Sequence, residues 1–202
     1  MATLTAPRIR EPWTPPFPVY RFTVEQYHRM IDTGILTEND RVELLEGWIV
    51  PKMPHNPPHD GTIWMAQTAL LAHLPPGWSL RIQSAITLAD SEPEPDLVVA
   101  RGPGIHYLTS HPKPKDISLV IEVADTTLAE DRGPKKRIFA RSRIAIYWIL
   151  NLQDSILEVY SQPKGGRIPT YKQRRDYTAG QLVPLVIDGV EIVQIPRHLL
   201  MP

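Results

Sequence analysis

Residues 94–100 read EPDLVVA and residues 117–140 read ISLVIEVADTTLAEDRGPKKRIFA. Leu97, Val98, Val99 and Ala100 form one short apolar run, opened by Asp96. Ile117, Leu119, Val120, Ile121 and Val123 form a second, interrupted by Glu122. Runs of this length, rich in Val and Ile and bounded by Pro or Asp, predict buried strands. An unpaired carboxylate in such a strand costs several kcal/mol to bury. Asp96 and Glu122 on successive strands, followed by Lys135 on the next helix, therefore predict a cluster in which metal and lysine offset the acids.

The remainder of the chain fits an α/β domain around these strands. Residues 1–20 hold Pro7, Pro12, Pro15, Pro16 and Pro18 and predict an extended N-terminal arm. Residues 21–202 are expected to form a single domain. FTVEQYHRMID (22–32) predicts a helix whose Thr23 and Gln26 match a capping box. VELLEGWIV (42–50) predicts a hairpin turning near Glu46–Gly47, with Glu43 and Glu46 as candidates for chemistry or for plain edge-strand carboxylates. A helix is expected over 60–74 behind the loop MPHNPPHDG, and a half-buried strand over 79–88 with Gln83 on its polar face. The crossover helix is expected from Pro134, at its first position, to Arg143. A strand follows over 144–152. Asp188–Gly189 predicts a tight hairpin between the last two strands.

Bulk composition narrows the function. Lys plus Arg and Asp plus Glu number 22 each, giving a formal net charge of zero, which weighs against a constitutive nucleic-acid coat. With no cysteine, thiolate zinc sites, disulfides and thiol chemistry are excluded, so any metal falls to Asp, Glu, His and carbonyl oxygens. No apolar run reaches the ~18 residues of a membrane span and no signal core opens the chain. These features lead to the expectation of a cytoplasmic protein.

Phosphodiester hydrolysis needs a cation to offset charge on phosphorus, a nucleophilic water and an aligned phosphate. Mg²⁺, or Mn²⁺ in its place, suits one or two carboxylates plus phosphate oxygens. If their strands are neighbours, Asp96 and Glu122 share a pocket. Lys135 then supplies a point charge that orients water and stabilises negative charge on the phosphate.

RVELLEGWIV (41–50), His59 before a helix, RIQSAITL (81–88), PEPDLVV (93–99), LVIEVADTTLAEDRGPKKRIFAR (119–141) and YWILNL (147–152) together resemble the Uma-type restriction endonucleases of the PD-(D/E)XK nuclease superfamily. The resemblance runs in order over residues 22–160. It implies a restriction-endonuclease-like core, a central mixed sheet flanked by helices with additional C-terminal β-strands. It also implies DNA as substrate, with Asp96 and Glu122 as the superfamily acids and Glu43 as a further metal-site acid. Ala124 stands where the superfamily lysine usually stands, and the resemblance moves that role to Lys135. Glu46, His59, Gln83 and Asp131 match recurrent polar positions without an assigned role. The chain departs from the family pattern at Arg143, usually Gly, and at Ile146, usually Glu.

The expected protein is a Mg²⁺- or Mn²⁺-dependent endonuclease acting on double-stranded DNA as a homodimer. The alternative is a catalytically silent nuclease-fold module for DNA binding or assembly. The strands from about Tyr171 are expected to give a second small sheet or a dimer surface.

Overall fold

The computed structural model describes residues 18–202, so most of the predicted arm lies outside the described residues. The first helix, α1 (Val24–Asp32), begins as expected. Thr23 accepts a hydrogen bond from the Gln26 amide while the Gln26 side chain accepts one from the Thr23 amide. The hairpin also forms, with β1 (Val42–Leu45) and β2 (Trp48–Pro51) joined through Glu46 and Gly47, both at positive φ. Gly47 is required there, because a Cβ would lie 2.7 Å from that of Arg21.

Helix α2 spans Pro57–Leu71, about three residues ahead of the sequence expectation at both ends. The shift follows from its start signals: Asn56 caps the amide of His59, and prolines occupy the first two positions, where a missing N–H costs nothing. Strand β3 (Trp78–Ile82) also ends earlier than expected. Gln83 adopts φ 44°, a left-handed conformation that stops the pleat, and its amide bonds the carbonyl of Asp96.

The central sheet has six strands in the order β3, β4 (Leu97–Arg101), β5 (Ile117–Ala124), β6 (Ile146–Asn151), β7 (Ile156–Lys164) and β8 (Thr170–Tyr177). All neighbours are antiparallel except β5 and β6, which are parallel and so need a crossover. That crossover is α3 (Leu128–Glu130), a π-helical turn over Asp131–Lys135, and α4 (Lys136–Arg141). The expected helix from Pro134 to Arg143 is corrected on this point. Helical backbone starts six residues earlier, and Pro134 lies inside the π turn rather than at a helix start. Proline cannot donate to the usual i−4 carbonyl, and the wider turn accommodates it, with the Lys136 amide bonding the carbonyl of Asp131.

Side chains alternate across β5. Leu119, Ile121 and Val123 face one apolar core with α2 and a separate two-stranded hairpin, β9 (Leu182–Ile187) and β10 (Val190–Pro196). Val120 and Ala124 face a second core with Ile138, Phe139 and Ala140 of α4. Thus β8 joins the central sheet, and only β9 and β10 form the extra small sheet. Their turn, Asp188–Gly189, has positive φ at both residues, as a two-residue hairpin demands.

Candidate active site

Strands β4 and β5 pair with Leu97 opposite Ile121. One step further along that register, Asp96 falls opposite Glu122, and cross-strand neighbours have Cβ atoms about 5 Å apart on one face. Asp96 lies just past the ladder, and its carboxylate Oδ2 accepts the Val123 amide at 2.8 Å. Glu122 interrupts an apolar strand whose neighbours are all buried, and is itself 3% exposed. The π turn brings Lys135 over it, with Nζ donating to Glu122 Oε1 at 3.0 Å and lying 3.6 Å from Asp131 Oδ1. Asp131 is buried, its Oδ2 accepts from Thr127 at 2.7 Å, and its Oδ1 has no hydrogen-bond partner.

Glu43 reaches the same cleft from β1. The carbonyl of Leu44 accepts the Glu92 amide, which docks the hairpin against the segment leading into β4, and Glu43 Oε2 accepts the amide of Glu94 at 3.0 Å. The cleft is lined by Glu43, Asp96, Glu122 and Lys135, with His55 just ahead of α2 and His59 in its first turn. His59 Nε2 stands 3.3 Å from Asp96 Oδ2.

All four sequence-predicted site residues therefore share one cleft. The donor atoms of Glu43, Asp96 and Glu122 do not all close to within 4.8 Å of one another. Among the described residues, the His/Asp/Glu trio that does is His55, His59 and Asp60. Glu46 lies outside the cleft and fastens the hairpin turn to α4 through Arg137 Nε at 3.1 Å and Arg141 Nη1 at 3.0 Å. Sequence reading missed His55, and it left Asp131 without a role. Histidine in a proline-rich loop carries no periodic signal, and Asp131 acquires its contacts from a π turn that helical periodicity does not anticipate.

The electrostatics follow from four acids around one lysine. Burial pushes the Glu122 carboxyl well above its ordinary range. Lys135 opposes this, while Asp131, Asp96 and Glu43 reinforce it. Burial likewise raises Asp131. Burial acts to lower the Lys135 ammonium, yet Glu122, Glu43 and Asp131 outweigh it and hold the amine charged. Burial also works against ionised Asp96, and His59, the Val123 amide and Lys135 prevail to keep its carboxyl low. A surplus of buried acid beside an unpartnered carboxylate oxygen fits a hard divalent cation. Glu43, Asp96 and Glu122 offer it oxygen donors.

A mixed sheet with two acids on adjacent strands at one cleft, a crossover helix on one face and a small C-terminal sheet defines an α/β fold of the restriction-endonuclease-like class. The model of the Uma2 family, described as "Putative restriction endonuclease", matches residues 24–193, and the chain belongs to that family. The fold also resembles the crystal structure of a protein from Anabaena variabilis titled a "putative nuclease belonging to DUF820". The TM-score is 0.62 at 15% identity, covering 89% of this chain and 97% of that one. No curated protein matches.

Proposed function

We propose that the protein is a divalent-metal-dependent DNA endonuclease, with Asp96, Glu122 and Glu43 holding Mg²⁺ or Mn²⁺ and Lys135 acting beside them. The observation that carries this reading is the buried contact of Lys135 Nζ with Glu122, cross-strand from Asp96. Membership of a family described as restriction endonucleases supports DNA as the substrate. When bound, a divalent cation supplies charge neutralisation at the scissile phosphate and lowers the pKa of a coordinated water. Lys135 serves as a hydrogen-bond donor to the phosphate oxygen where negative charge grows, since its acidic neighbours keep it protonated and it is no general base. Val123 holds the Asp96 carboxylate in place through its backbone amide. A two-fold dimer would present two such clefts to the two strands of a duplex. Among the described residues, no helix is long and apolar enough to cross a membrane.

Plasmid DNA incubated with the protein and Mg²⁺ or Mn²⁺ is expected to be nicked and linearised. Asp96→Asn is expected to abolish this. Cleavage that persists in Asp96→Asn would overturn the assignment, and the absence of both cleavage and Mg²⁺ or Mn²⁺ uptake would favour a silent binding module instead.

A further inference from the structure

We propose that His55, His59 and Asp60 form a second cation site at the rim of the cleft, one that takes a borderline transition ion of the Zn²⁺ class rather than Mg²⁺. The donor atoms of the three residues lie within 4.8 Å of one another. Asp60 Oδ1 is 3.5 Å from Nδ1 of His55 and 3.5 Å from Nδ1 of His59. These separations are too long for good hydrogen bonds, and they leave a gap between the three donors.

His59 supplies an independent indication. Its side chain is 11% exposed, and Nε2 faces the Asp96 carboxylate at 3.3 Å. A carboxylate accepts only, so Nε2 carries a proton, and in the neutral ring the lone pair falls on Nδ1. That Nδ1 is buried and has no hydrogen-bond partner. An imidazole whose far nitrogen is anchored to a carboxylate while its near nitrogen is bare is the arrangement in which histidines ordinarily ligate metals, the second contact fixing tautomer and ring orientation.

His55 completes the set by moving. Its ring stacks on that of His59 with centroids 4.3 Å apart and planes at 25°, too nearly parallel for one ion to lie in both ring planes. In this position Nδ1 faces the Gln83 amide at 2.9 Å, and Gln83 is an exposed side chain free to swing aside. His55 lies in the loop before α2, and the proposed site requires its side chain to rotate out of this stacked position. Two imidazoles and one carboxylate select Zn²⁺, Co²⁺, Ni²⁺ or Cu²⁺ over the oxygen-seeking Mg²⁺, and they leave positions for water. Because His59 touches Asp96, an ion here would also fix the orientation of that carboxylate. The site does not depend on the nuclease reading.

The test is titration of the full chain with Zn²⁺ in a large excess of Mg²⁺, followed by calorimetry, together with the electron paramagnetic resonance spectrum of the Cu²⁺-loaded protein. One equivalent of Zn²⁺ is expected to bind, and the Cu²⁺ spectrum is expected to show coupling to imidazole nitrogen. His55→Ala and Asp60→Asn, both in exposed positions, are each expected to weaken Zn²⁺ by at least about 10-fold, the lower end for loss of even an outer contact. Their unchanged melting temperatures would show that they fold. Zn²⁺ that is displaced by Mg²⁺, affinity unchanged in both variants, or a Cu²⁺ spectrum without nitrogen coupling would each overturn the site. None of these readouts involves DNA, so failure here is separable from failure to cleave.

Discussion

Glu122 and Glu158 stand in one row of the central sheet, separated by a single strand: Glu122 pairs with Ile149, and Ile149 pairs with Glu158. Both are buried on the same face, and each meets a cation from the same helical stretch, Lys135 for one and Arg132 for the other. The surroundings differ completely. Glu158 accepts from Arg132 Nε at 3.0 Å, from the Tyr160 hydroxyl at 2.6 Å and from Asn151 at 3.0 Å, with Arg174 3.4 Å away. Burial pushes its carboxyl up, and these donors together outweigh burial and hold it below the ordinary range. Glu122 has one lysine shared with Asp131 and further acids around it, so its carboxyl is raised. A saturated buried carboxylate is a structural tie. One left short of donors among other acids has the character of a site waiting for a cation.

The largest expected effect separates the two in activity. Glu122→Gln keeps shape and a hydrogen-bond acceptor for Lys135 while removing a charge that its neighbours disfavour. It is expected to cost cleavage on the order of 10³-fold, about 4 kcal/mol of barrier, and to leave thermal stability within about 1 kcal/mol of the parent. A plasmid assay beside a calorimetric melt reads both. Loss of stability without loss of cleavage would make Glu122 the structural member of the pair.

Glu158→Ala should behave in the opposite sense. It leaves Arg132, Asn151 and Tyr160 facing a buried gap, and removing one partner of a buried ion pair costs about 3 kcal/mol. For a chain of this size that lowers the melting temperature by roughly 6–12 °C. Metal uptake measured well below the melt is expected to be unchanged, because Glu158 does not line the cleft.

Metal itself sharpens the contrast. An ion bound only by the folded state stabilises it by about 2.7 kcal/mol at a hundredfold excess over its Kd. Mg²⁺ or Mn²⁺ is expected to raise the melting temperature of the parent and of Glu158→Gln, but not of Glu122→Gln. An equal rise in all three proteins would place the ion elsewhere.

Acid provides a smaller effect with a definite sign. Because the folded carboxyl of Glu158 titrates below its ordinary value of 4.5, its stabilisation is complete above about pH 4.5 and fades as pH falls through the lowered folded value. Glu158→Gln should therefore lose less stability than the parent between pH 4.5 and pH 3. Parallel melting curves would show that the donors around Glu158 do not favour its charged form.

The comparison also shows what sequence could and could not disclose. Apolar runs opened by Asp96 and interrupted by Glu122, the Thr23–Gln26 cap and the Asp188–Gly189 turn are local patterns, and each appears where local chemistry requires it. Glu158 falls in ILEVY, where an acid between Leu157 and Val159 matches an ordinary strand alternating outward to solvent. Its burial depends on α4 lying over that face, a tertiary fact. The π turn that aims Lys135 is equally non-local, since Pro134 matches a helix start until Asp131 and Tyr147 are seen to hold the turn, the Tyr147 hydroxyl donating to the Asp131 carbonyl at 3.2 Å.

The smallest expected effect lies in the turn between α4 and β6. Arg143 adopts φ 62° between α4 and β6. Left-handed backbone costs a side-chain-bearing residue about 1–2 kcal/mol, against the roughly 0.5–1 kcal/mol of extra chain entropy that Gly surrenders on folding. The guanidinium recovers part of the difference by donating to the Pro163 carbonyl at 3.1 Å in an exposed position. Arg143→Gly is therefore expected to stabilise the protein by about 0.5 kcal/mol, or 1–2 °C in the melt. Cleavage and metal uptake are expected to hold, because residue 143 does not line the cleft. A drop in stability instead would mean that the Arg143–Pro163 contact, which ties the α4–β6 turn to the end of β7, outweighs the backbone strain.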